Sequence, residues 1–326
     1  MGVTAVTLLL SSALLLAALS GPVLLRRSAP ALASIPRAAA LTLTLSALLW
    51  IAALVALGPV VAWISTGPSW LPQQAAEVCG RCLSASSPFA QGAVSLGIPA
   101  IVPLALPALG LAAALIGLIG EVVRLKHSHA ALARTLQGSS TQDVLHGHWV
   151  HITPDARPVA FSFPHRNGGI FVSRGTLAAL TPKELAAVLQ HEHAHLRQRH
   201  HLYLTILNGT TRYFRWIPFI RAVRAAVPHY LEIAADRAAR NVSGTAALAG
   251  ALLHLGQPAL PETAAHLPEH AVLHAAGSER IRHLTGQPRP RASTAMAAGV
   301  GAYAFMLAAA IAAVHWPYLL AILTGC

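Results

Sequence analysis

Four apolar stretches, Val3 to Leu25, Ala38 to Ile64, Ala93 to Gly120 and Thr294 to Leu323, contain no Asp, Glu, Lys or Arg. A helix of about 20 such residues crosses a bilayer, so this chain has to fold with about a third of its length in lipid. Composition agrees. The chain is 55% hydrophobic and 10% charged, whereas soluble domains carry about 25% charged residues. A disordered or wholly soluble protein is excluded, and three cysteines exclude a disulfide scaffold. The first stretch has no basic region before it and a long apolar core. It therefore reads as a membrane helix rather than a cleaved signal peptide, although Ala18-Leu19-Ser20 resembles a cleavage site. Arg far outnumbers Lys and Ala is abundant, a bias like that of high-GC bacterial genomes.

Basic residues set the orientation, because Lys and Arg accumulate in short cytoplasmic loops. Arg26, Arg27 and Arg37 follow the first stretch, and Arg124 and Lys126 follow the third. Arg289 and Arg291 precede the fourth, while the second loop holds only Arg81. The expectation is a multi-pass protein of the bacterial inner membrane with both termini outside. Residues 1–122 form a three-helix membrane region, 123–293 a cytoplasmic domain, and 294–326 a last membrane helix. The net charge of +12 is explained by this topology, so direct nucleic-acid binding is not expected. Cys79-Gly-Arg-Cys82 falls in the outer loop and reads as a local disulfide or two free thiols.

The segment from 123 to 293 carries all 18 histidines except His315, and all 11 acidic residues except Glu77 and Glu121. Its first part reads as a small antiparallel sheet, with strand-like runs at Trp149 to Thr153 and Pro158 to Phe163. A hairpin signal, Asn167-Gly168, precedes Ile170-Phe171-Val172. Thr181-Pro182-Lys183-Glu184 is a capping box with Pro at the first helical position. It opens a helix expected to run past His200. Further helices are expected over Pro228 to Arg240, Ala246 to Leu255 and Ser278 to Leu284.

On the capped helix lies His191-Glu192-His193-Ala194-His195. Residues i and i+4 share one helix face, so two imidazoles can share one Zn²⁺ per chain. The glutamate between them stands beside the metal as a general base. A catalytic zinc takes three protein ligands and keeps an open position. Downstream, Glu232-Ile-Ala-Ala-Asp236 places two carboxylates one turn apart. Glu232 is assigned as the third ligand, and Asp236 as the acceptor that fixes a ligand histidine's tautomer. His193 points away from the pair, and His200 and His201 read as surface residues. His229, Tyr230 and Arg237 are candidates for polarising the scissile carbonyl, a role left unassigned. Tyr203 to Ile220 mixes Arg212, Arg215, Arg221 and Arg224 of its neighbourhood with Tyr213, Phe214, Trp216 and Phe219. It reads either as an interfacial segment or as a buried helix hairpin.

Three spans, Leu185 to His195 with the two-histidine motif, Glu232 to Arg237, and a last span together resemble the BlaR/MecR-type integral-membrane zinc metallopeptidases. Val159-Ala-Phe-Ser162 is similar to the strand before their zinc helix, and Ser278 to Leu284 to their Arg-containing C-terminal helix. The resemblance implies a mainly α membrane protein with a cytoplasmic α+β zincin-like domain between helices 3 and 4. It implies gluzincin chemistry, in which Glu192 activates zinc-bound water, and a cytosolic protein substrate such as a DNA-bound repressor in signal transduction. The antibiotic sensors of that family carry a penicillin-binding domain after the last span, which is missing before Cys326, so β-lactam sensing is not expected. HtpX-like membrane quality-control peptidases share both motifs but usually place spans between them, and Tyr203 to Ile220 is too polar for two spans. The third reading is a non-proteolytic receptor-like scaffold with a structural zinc site, which would have no need of Glu192.

Overall fold

The computed structural model describes residues 3–66, 101–164 and 168–255, with scattered helical positions between 298 and 312. Cys79, Cys82, the expected Ser278 to Leu284 helix and most of the expected fourth span lie outside the described residues.

Three long helices come from the apolar stretches: α1 (Val3–Leu32), α2 (Pro36–Thr66) and α3 (Ile101–Ser139). Each contains a segment long and apolar enough to cross a membrane, namely Leu10–Leu32, Pro36–Val55 and Ala108–Ser139. The Trp50 indole N–H donates to the Leu14 carbonyl at 3.1 Å and ties α2 to α1. Arg26 and Arg27, expected in a loop, lie inside α1. The helix needs no break before them, because long basic side chains reach the membrane surface from a helix end. The first connection thus shrinks to Ala33–Ile35. The α3 helix runs on past the expected boundary at 122/123 and carries the chain out to the sheet.

Four strands follow: β1 (Thr141–Leu145), β2 (His148–Thr153), β3 (Ala160–Ser162) and β4 (Ile170–Ser173). Their order is β1-β2-β4-β3. The β1–β2 and β3–β4 pairs are antiparallel, but β2 and β4 run parallel. The sheet is therefore mixed, not antiparallel as expected. The cause is that β3 takes the edge, so β4 inserts between it and β2. The strand β1 was not anticipated. Its hairpin turns on His146 and Gly147, both at positive φ (47° and 80°), the conformation of a type I′ turn.

The helical part comprises α4 (Arg174–Ala179), α5 (Pro182–Arg197), α6 (His200–Thr210), a 3₁₀ turn (Arg212–Phe214), α7 (Pro218–Ser243) and α8 (Thr245–Leu255). The α5 helix begins as expected. Thr181 Oγ1 accepts from the Glu184 N–H, and the Glu184 carboxylate accepts from the Thr181 N–H. It stops at Arg197 rather than passing His200, because Arg199 adopts a left-handed conformation (φ 54°) and turns the chain into α6. The α7 helix starts ten residues before Pro228, with Pro218 in the first turn and Pro228 inside the helix. Both prolines suit a helix start; burial of Phe219, Ile220 and Val223 selects the earlier one. Gly244 (φ 84°) ends α7.

Two of the apolar cores among the described residues, the ones with most members, hold these parts together. Leu204, Leu207, Phe214, Ile217, Phe219, Ile220 and Val223 of the α6–α7 hairpin join one core with α1, α2 and α3. A second core lies between the sheet, α5 and α8. The Tyr203 to Ile220 segment is thus a helix hairpin docked on α1, α2 and α3. Its tip leaves Tyr213 and Trp216 exposed together with Arg212 and Arg215. Arg224 does not belong to that tip. Its Nη1 donates to the Asn208 carbonyl at 3.1 Å and to Thr211 Oγ1 at 2.8 Å, closing the hairpin. The helix α7 packs along both α5 and the membrane helices, which places its carboxylate pair against the histidine motif.

Candidate metal centre

His191, Glu192 and His195 are all buried on α5, and Glu232 and Asp236 are buried on α7. Facing helices bring the pairs together. His191 Nε2 and His195 Nε2 lie 3.0 Å apart. Glu232 Oε2 is 3.4 Å from His191 Nε2, and Glu232 Oε1 is 3.4 Å from His195 Nε2. These three residues could hold one metal ion. Tetrahedral Zn²⁺ with ligand bonds near 2.0–2.1 Å holds its ligands about 3.3 Å apart. The separations of 3.0 Å between the two imidazole nitrogens and 3.4 Å from each of them to a Glu232 oxygen lie near that edge length.

Charge makes the same point. Glu192, Glu232 and Asp236 are each about 4% exposed or less, three carboxylates within two turns of one another's helices. Burying anions together is costly unless a cation compensates. A divalent ion between Glu232 and the two imidazoles supplies that charge.

The ligand histidines are oriented from behind. His191 Nδ1 lies 3.0 Å from Asp236 Oδ1, an ion-pair contact that favours the proton on Nδ1 and leaves the Nε2 lone pair for the metal point. On the other side, Arg37 Nε donates to Gln198 Oε1 at 2.8 Å. That oxygen also accepts from His200 Nε2–H at 3.0 Å. His200 Nδ1 is then an acceptor, and His195 Nδ1, 2.9 Å away, is the donor. The chain of bonds leaves the His195 Nε2 lone pair directed at the metal point as well.

His200 was expected at the surface, and the structure corrects that: it is 1% exposed. No helical spacing relates it to His195; only the left-handed Arg199 folds it back. Ser162 is a further contributor. Its Oγ–H donates to Glu192 Oε2 at 2.8 Å from β3. The pattern Val159 to Ser162 marked this strand, though not that contact. His193 stands on another face, with its ring 4.7 Å from that of His148.

The role of carbonyl polarisation stays unassigned among His229, Tyr230 and Arg237. Tyr230 is buried in the core shared with the membrane helices, and burial pushes its hydroxyl up to about 12. The His229 ring lies beside it, tilted by 57° with centroids 5.8 Å apart. Arg237 Nη1 donates to the Ser34 carbonyl at 2.9 Å, in the turn between α1 and α2.

Residues 124–256 match the family model described as Peptidase family M48. The matched stretch runs from within α3 to the end of α8 and contains both motifs. Over this stretch the chain is similar to that peptidase family; the BlaR/MecR-type resemblance is finer than the match. No curated protein and no solved structure matches the chain.

Proposed function

We propose that the chain is a membrane-embedded, zinc-dependent endopeptidase. The observation that carries this reading is the buried convergence of His191, His195 and Glu232 beside Glu192, inside the stretch that matches a peptidase family. In this reading the three residues hold one Zn²⁺ per chain. A bound zinc would supply Lewis acidity and a water of lowered pKa at its open position. Glu192 takes the proton from the attacking water and delivers it to the leaving amine. The Ser162 hydroxyl holds the Glu192 carboxylate in place for both transfers. Asp236 and His200 keep the two ligand imidazoles in the tautomer that binds metal. Because β3 is an edge strand joined to Glu192 through Ser162, an extended peptide pairing with it would lie alongside the base.

The peptidase domain is placed on the cytoplasmic side, with both termini outside. Lys and Arg cluster at the membrane-helix ends from which this domain emerges, which supports that orientation. The substrate is proposed to be a cytosolic protein such as a DNA-bound repressor. Support comes from the hairpin between the motifs: among the described residues, no helix between His195 and Glu232 is long and apolar enough to cross a membrane. Turnover of damaged membrane proteins, the HtpX-like alternative, uses the same residues and chemistry. Glu192→Gln separates an enzyme from a scaffold. The variant should keep zinc and lose hydrolysis of denatured casein in detergent. Equal hydrolysis by variant and wild type would overturn the assignment of the base.

A further inference from the structure

On α5, successive residues turn by about 100°. His191, Glu192 and His195 therefore share one side of the helix, and Gln190, His193, Ala194 and Arg197 form a stripe on the other. That second stripe, together with the face of α7 opposite Glu232, lines a cavity of about 660 Å³. Its wall carries Arg37, Arg197, Arg237, His148, His193 and Asn241, and among the described residues no Asp or Glu. Arg37 and Arg197 also line an adjoining cleft of about 280 Å³. In a chain with so few acids this is an accumulation of positive charge around an open volume. The cavity is closed on one side by Ile35–Ala38, at the junction of the two membrane-crossing segments Leu10–Leu32 and Pro36–Val55. It therefore lies at the level of the turn between the two candidate membrane spans.

We infer that this cavity is a binding site for a phosphate-bearing anion, and that the anion is the headgroup of an acidic phospholipid. Guanidinium groups bind phosphate through paired, charge-assisted N–H···O bonds, and three of them line one wall-to-wall space of headgroup size. The position favours a lipid, because only a molecule in the membrane is concentrated at the α1–α2 turn. A headgroup held there would bridge the membrane surface, α5 and α7 from the side opposite the metal point. The site is independent of whether the chain is a peptidase.

The test is calorimetric titration of the purified full-length chain in dodecyl maltoside with dioctanoyl phosphatidylglycerol, dioctanoyl phosphatidylcholine and inorganic phosphate. The expected result is saturable binding of the phosphatidylglycerol, no binding of the phosphatidylcholine, and affinity about tenfold weaker in Arg197→Gln and Arg37→Gln. Arg215→Gln, at the exposed hairpin tip, should bind like wild type. A gel-filtration profile and thermal midpoint like those of wild type verify that each variant is folded; zinc content is no fold control for Arg37→Gln, because Arg37 stands behind His195 through Gln198 and His200. Variant-sensitive binding of inorganic phosphate that phosphatidylglycerol does not improve upon would uphold the anion site and overturn the lipid as its source. Absence of binding by either anion would overturn the proposal. So would equal weakening by Arg215→Gln, which would mean diffuse attraction to a basic surface.

Discussion

Asp236 touches His191 but not the metal point, so its removal isolates the orienting contact. The carboxylate lies 3.0 Å from His191 Nδ1 and is 4% exposed. A charge-assisted contact with a carboxylate at such a site contributes about 1.5–3 kcal/mol. Converted at about 1.4 kcal/mol per decade, that is roughly a ten- to hundredfold loss of metal affinity in Asp236→Ala, the range usual for partners of ligand histidines. Asp236→Asn keeps an oxygen acceptor for Nδ1–H but loses the charge, so its loss should be smaller than that of the alanine variant. Zinc dissociation constants measured by competition with a fluorescent chelator give both values. An affinity within twofold of wild type for Asp236→Ala would refute the orienting role, and equal losses in Asn and Ala would assign the effect to charge alone.

Three further outcomes are expected. His200→Ala should weaken zinc binding about tenfold by leaving His195 Nδ1–H without its acceptor, with His200→Gln intermediate, in the same chelator competition. Gly209→Val should lower the thermal midpoint of the detergent-solubilised protein by several degrees, because a Cβ there would stand 2.7 Å from Leu118 Cα on α3 and overpacking costs about 1–3 kcal/mol. Burial holds the His151 imidazole below its usual value of 6.5, so the unfolded chain takes up the proton first. Stability on this account declines as pH falls below 6.5 and levels off below the folded value. The difference between thermal midpoints at pH 7.5 and pH 5.5 should be smaller in His151→Asn than in wild type.

Much of this architecture was legible because its signals are local. Uncharged apolar stretches gave three of the long helices, and the Thr181–Glu184 pattern gave the start of α5. Spacing of i and i+4 put His191 with His195, and Glu232 with Asp236, on shared faces, and the structure brings those faces together. What was missed depends on single backbone conformations or on distant partners. Left-handed Arg199 breaks the helix that apolar periodicity would have continued, and so buries His200 behind His195. Positive φ at His146 and Gly147 makes the β1 hairpin without the Asn-Gly pair that usually announces one. The parallel β2–β4 pairing is a tertiary outcome, since each strand alone reads the same in either direction. Ser162 and Arg37 reach the site across long sequence separations, with no periodicity to join them to it.

Zinc counted per chain by elemental mass spectrometry, in wild type beside Glu232→Ala, tests the central claim most directly. The protein purified in mild detergent should carry about one zinc per chain, and the variant should lose it or bind it far more weakly, because one of three ligands is gone. Equal zinc in both would contradict Glu232 as a ligand, and no zinc in the wild type after remetallation would contradict the metal centre itself.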